Sequence, residues 1–132
     1  MQYKDCDIAY AAGVFDTIGS INIIHTIIPE EVVDEHCLFV WITASNFKLM
    51  TALQKFGAVI GKRADGKYKA KWKDKAAADF LLLIMPYLQI KTDQADLGIE
   101  FMQYKSTAKD PKTYVMPLSK RLKLLKREDI DD

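Results

Sequence analysis

Ala11-Ala12-Gly13-Val14-Phe15-Asp16-Thr17-Ile18-Gly19-Ser20-Ile21 joins the end of one helix to the start of a strand. The alanine-rich, apolar stretch from about Asp7 to Asp16 favours a helix, which must stop near Gly19. Ala9, Ala12, Gly13 and Asp16 recur at i, i+3, i+4 and i+7, so one flank of that helix carries almost no side chain. Such a flank lets a second helix approach closer than the usual spacing of about 8–10 Å between axes. The plainer reading is a small-residue helix packed on its own sheet.

Working outward, Ser20 to Ile28 is rich in isoleucine and reads as a strand. The acidic stretch Pro29 to His36 reads as a loop, and Cys37 to Thr43 as the strand that returns. Ser45 or Asn46 caps a helix through about Phe56. Ala58 to Arg63 and Lys67 to Lys73 form a second hairpin around Ala64-Asp65-Gly66. Asp74 caps a third helix, stopped by Pro86, and Thr92 caps a fourth. Residues 106–117 read as a loop and residues 118–130 as a basic amphipathic helix. Two hairpins between helices predict an α+β fold, with one antiparallel sheet covered by helices on one face.

A net charge of +1 conceals strong local fields. Lys62, Arg63, Lys67, Lys69, Lys71, Lys73 and Lys75 stand against only Asp65 and Asp74. Within this cluster Lys67, Lys69, Lys71 and Lys73 alternate with Tyr68, Ala70 and Trp72, which places the ammonium groups on one face of a strand, roughly 7 Å apart. Such a row either tracks phosphates or blunts an exposed sheet edge. A second basic block comprises Lys120, Arg121, Lys123, Lys126 and Arg127, and Glu30, Glu31, Asp34 and Glu35 form an acidic one.

Two segments resemble the LAGLIDADG homing endonucleases: Ala11 to Ile21, and Met85-Pro86-Tyr87-Leu88-Gln89-Ile90-Lys91-Thr92-Asp93-Gln94-Ala95-Asp96-Leu97. The resemblance implies an α-β-β-α-β-β-α core over about residues 7–105, within a single domain spanning 1–132, and a saddle-shaped sheet over double-stranded DNA. One copy of the motif implies a homodimer, paired through the flank of Ala9, Ala12, Gly13 and Asp16 and reading a near-palindromic site. The implied DNA contacts are Asn22 and Thr26 at base edges and Lys62, Lys67, Lys69, Lys71, Lys73, Lys120 and Lys123 at phosphates.

The resemblance also implies a metal-dependent endonuclease, whose metal ligand is the acidic residue before the motif's final glycine. Here that position is Ile18, and a hydrocarbon cannot ligate Mg²⁺. Asp16 is retained, but it lies about 200° round the helix and is a weak substitute. Lys91 matches the family's basic residue that organises active-site solvent. Metal-dependent cleavage is therefore expected to be absent or very weak, with Mg²⁺ the cofactor only if the site is active and no metal ligand assigned otherwise.

A third possibility arises from Ile24, Phe39 and Trp41, large apolar residues on the groove face that would suit a protein or small ligand. His25, His36, Cys6 and Cys37 lack zinc-ligand spacing. Apolar runs such as Ile8 to Phe15 are too short for a membrane span, no secretory signal is evident, and two cysteines make no disulfide framework. An intracellular protein, cytoplasmic or organellar, without a membrane partner is expected.

Overall fold

A computed structural model of the chain describes residues 3–28, 33–107 and 110–130, excluding the side chains of 26–28, 33, 34, 129 and 130. Pro29, Glu30 and Glu31 of the acidic stretch, and the side chains of Thr26 and Asp34, thus lie outside the described residues. The first helix, α1 (Asp5–Ile18), runs into β1 (Gly19–Ile28) without a loop. Gly19 permits this because a Cβ there would overlap the Phe15 ring. Strand β2 (Val33–Ala44) returns, followed by α2 (Phe47–Gln54), whose Asn46 cap accepts from the N–H groups of Lys48 and Leu49.

The second hairpin pairs β3 (Val59–Lys62) with β4 (Tyr68–Lys73) across a turn in which Gly66 has φ +88°, the left-handed region that glycine enters without cost. Helices α3 (Lys75–Ile84), α4 (Thr92–Ser106) and α5 (Pro111–Ile130) complete the chain, with a 3-10 turn at Met85–Tyr87 after α3. The antiparallel sheet has the order β1-β2-β4-β3. Its helix-bearing face supplies Ile21, Leu38, Val40, Ile42, Ala70 and Trp72, all 1% exposed or less. Trp72 stacks on Phe80 with ring centroids 3.9 Å apart, and its indole N–H donates to the Phe56 carbonyl at 3.0 Å.

The predicted α+β architecture is the observed one, with three local corrections. Strand β2 begins at Val33, inside the stretch read as loop, and the His36 ring stacks on His25 across the pair at 4.4 Å. Helix α5 begins at Pro111, so residues 111–117 are helical despite Pro117 in their midst. An interior proline costs about 3 kcal/mol, but Tyr114, Val115, Leu118 and Leu122 are all buried, and Tyr114 packs on the Phe101 and Tyr104 rings of α4. Asp74 does not cap α3 with its side chain; it adopts φ 51° and turns its carboxylate to the Leu38 N–H and to Lys105. Among the described residues no helix is long and apolar enough to cross a membrane.

Candidate nucleic-acid interface

The sheet face opposite the helices is where the lysine row lies. Register pairs Phe39 with Lys73, Trp41 with Lys71 and Thr43 with Lys69, so these residues share one face. The Lys69 ammonium stands 3.9 Å from the centroid of Trp41, and Lys71 and Lys73 stand 5.2 and 5.9 Å from that of Phe39. The two aromatics expected to open an apolar groove instead lie half-buried beneath lysines, each cation–π contact contributing about 0.5–1 kcal/mol. Burial, then Arg63 and Lys71, pushes the Lys69 ammonium below the ordinary lysine value. Strand β4 lies between β2 and β3, so the lysines do not protect a sheet edge. The row therefore presents like charges to solvent from an interior strand, where an anion would relieve their repulsion.

The other predicted contacts divide. Lys67 precedes β4, exposed at the turn, with its N–H on the Asp65 carboxylate. Lys62 pairs with Tyr68, whose ring meets Phe47 on the helix side; alternation therefore turns Lys62 away from the lysine face. Asn22 belongs to the groove face, opposite Phe39, but its carbonyl oxygen accepts from Lys126 at 2.9 Å and its amide donates to Ser20. Helix α5 meets the edge strand β1 where Asn22, Ile24, Leu122, Lys123 and Lys126 line a small cleft, and Lys120 and Lys123 are exposed. Thr26 pairs with Glu35 in the ladder.

At the end of α1, Asp16 points inward. One carboxylate oxygen accepts the Gln89 N–H at 2.7 Å and the other accepts those of Ile90 and Lys91 at 3.3 and 3.0 Å. Lys91 reciprocates: its ammonium donates to the Phe15 carbonyl at 3.2 Å and to that of Gly19. These two residues clasp the end of α1 to the start of α4, with Asp16 supplying from another helix the N-terminal acceptor expected of Thr92. The Thr92 hydroxyl donates backward to Leu88 instead. Ile18 is 44% exposed.

The small-residue flank is split. Ala12 and Asp16 face the core beside Ile8 and Phe15, whereas Gly13 is exposed together with Cys6, Tyr10 and Thr17, and Ala9 is half-buried. The outward stripe is rotated from the predicted set by roughly 80° because the large residues Ile8 and Phe15 choose which side enters the core.

Among the described residues, the grouping of possible metal ligands is Glu35, Cys37 and Asp74. Its centre already holds a cation: Lys105 lies 2.9 Å from Glu35, 3.0 Å from Asp74 and 3.8 Å from the Cys37 sulfur. Burial opposes the charge of Lys105, but Glu35 and Asp74 outweigh it and hold the ammonium above the ordinary lysine value. The hydrogen bond and charge of Lys105 hold Glu35 below the usual carboxylate range, and burial with Asp74 pushes the Cys37 thiol up. This cluster, and Lys126, were not singled out from sequence as site residues; only the basic block around Lys126 signalled the latter.

No family model and no curated protein matches the chain. Among solved structures it is similar to the homing endonuclease I-CvuI in complex with its target in the presence of 2 mM Ca, at 23% identity, TM-score 0.77, over 91% of this chain and 82% of that one. It is similar to the homing endonuclease I-TnaI at 15% identity and TM-score 0.73, over 98% and 99% of the two chains. The archaeal intron-encoded homing endonuclease I-Vdi141I complexed with DNA matches at 17% identity and TM-score 0.68, over 98% and 85%. The fold is that of the LAGLIDADG homing endonucleases.

Proposed function

We propose that this chain is a homodimeric double-stranded DNA-binding protein of the LAGLIDADG homing endonuclease family, in which metal-dependent phosphodiester cleavage is absent or very weak. The observation that carries this reading is the row Lys69-Lys71-Lys73, seated on Trp41 and Phe39 in an interior strand of the sheet. Lys67, Lys120 and Lys123 extend the cationic surface. A duplex supplies phosphates to such a surface, and a symmetric dimer would meet a near-palindromic site.

If each protomer neutralises about four phosphates, the logarithm of the association constant falls with the logarithm of salt concentration at a slope near −7 for the dimer. Fluorescence anisotropy with a random duplex tests this, and a flat salt response rejects the lysine face as the interface. Cleavage is tested by incubating a plasmid library with Mg²⁺ or Mn²⁺ and sequencing the ends; an uncut library is expected.

Dimerisation would use the outward stripe of α1, including Gly13, Tyr10 and Thr17, with Ile18 at its end. Burying the exposed 44% of Ile18 from each protomer would contribute roughly 1 kcal/mol per side, whereas two facing carboxylates would repel. Ile18→Asp is therefore expected to weaken the metal-free dimer about tenfold or more. Sedimentation equilibrium showing equal or tighter association in the variant contradicts the proposed role of Ile18.

A further inference from the structure

A cleft of about 310 Å³ opens between the end of α1 and the last turns of α5, lined by Asp16, Ser20, Ile90, Lys91, Gln94 and Lys126 among others. It adjoins the place where the family resemblance puts a divalent metal, so its donor atoms can be tested for that role. The carboxylate that lines it, Asp16, has both oxygens accepting backbone N–H groups. The carbonyls of Phe15 and Gly19, which could ligate a hard cation, hold the Lys91 ammonium. Lys126 brings a second positive charge, and burial, then Lys91, pushes its ammonium below the ordinary lysine value. A divalent cation entering here meets two ammonium groups and oxygens already engaged, so these residues do not fit the metal.

We propose that this cleft binds a phosphate oxyanion in place of a metal, with Lys126 and the Ser20 hydroxyl as its donors. An ammonium has three N–H donors; Lys126 gives one to Asn22, leaving two for a ligand among the described residues. The Asn22 amide donates to the Ser20 oxygen at 2.9 Å, which leaves the Ser20 proton to point elsewhere. Asn22 is thus a positioning residue that fixes both donors, instead of the base reader its place on the strand suggested. The oxyanion is either a free phosphate or a phosphate of the duplex backbone, and the latter source rests on the proposed DNA-binding function.

The test uses the full chain and three probes at constant ionic strength. Titration with inorganic phosphate, followed by amide ¹H–¹⁵N shifts, is expected to give saturable shifts at Gly19, Ser20 and the Asn22 side chain. Lys126→Met abolishes them and Lys126→Arg retains them. MgCl₂ produces no saturable shift at the same groups. With duplex DNA, Lys126→Met binds about tenfold more weakly near 0.1 M salt, its slope shallower by about one per protomer, and Mg²⁺ does not strengthen wild-type binding over EDTA. Absence of a phosphate response, a response left intact by Lys126→Met, or saturable Mg²⁺ shifts at these groups overturns the proposal. If phosphate binds as described but the wild type retains no duplex, the cleft stands as a free-phosphate site and the DNA-binding function falls. If duplex binding depends on Lys69 and Lys71 but not on Lys126, the backbone source falls while the lysine face stands.

Discussion

Replacing Lys69, Lys71 and Lys73 together by glutamine is expected to weaken duplex binding about 10³-fold or more near 0.1 M salt and to shift the salt slope from about −7 to about −2. The size of the effect follows from the register. All three residues project from one strand to one face, and a dimer would remove six positive charges from its contact with the duplex. Glutamine keeps two of the four methylenes of each stem and adds a planar amide, so Trp41 and Phe39 stay partly covered. The loss of cation–π contacts, about 0.5–1 kcal/mol each, is opposed by relief of repulsion along the strand. Thermal unfolding should therefore change little while binding collapses. A variant that folds normally and retains the wild-type affinity and slope removes the lysine face from the interface.

That interface was partly legible in the sequence. The alternation of lysine with Tyr68, Ala70 and Trp72 specified a strand and its two faces locally, and Asp65-Gly66 specified the hairpin. What lies beneath the lysines was not local. The pairing of β4 with β2 brings together residues some thirty positions apart, so Phe39 and Trp41 read as an apolar groove until their cationic neighbours were placed.

The outward side of α1 was obscured for a related reason. Alanine and glycine mark a bare stripe by size, but the side that enters the core is chosen by Ile8 and Phe15, which carry Ala12 and Asp16 inward with them. Charge misled the reading of Glu35 and His36 as loop, because the compensating Lys105 comes from a distant helix. Pro117 misled the reading of α5, because the four buried side chains around it outweigh its local cost.

Asp16→Ala is expected to lose about 3 kcal/mol of stability. Its carboxylate satisfies the N–H groups of Gln89, Ile90 and Lys91, none of which alanine can replace. Leaving a buried donor unpaired costs about 1–3 kcal/mol, and the exposure of Gln89 and Ile90 lets water recover part of that. Asp16→Asn should lose nearly as much, since an amide presents one accepting oxygen and turns its NH₂ group toward a donor. Lys91→Met removes the other half of the clasp, and its effect should be less than additive with Asp16→Ala because both variants release the same junction between α1 and α4. Urea unfolding of the single and double variants measures both the loss and the coupling. A loss below about 1 kcal/mol for Asp16→Ala would show that the carboxylate does not hold this junction. A weakened junction in the variant should also impair duplex binding without altering the lysine row, because the end of α1 positions Gly19 and Ser20 at the start of the sheet.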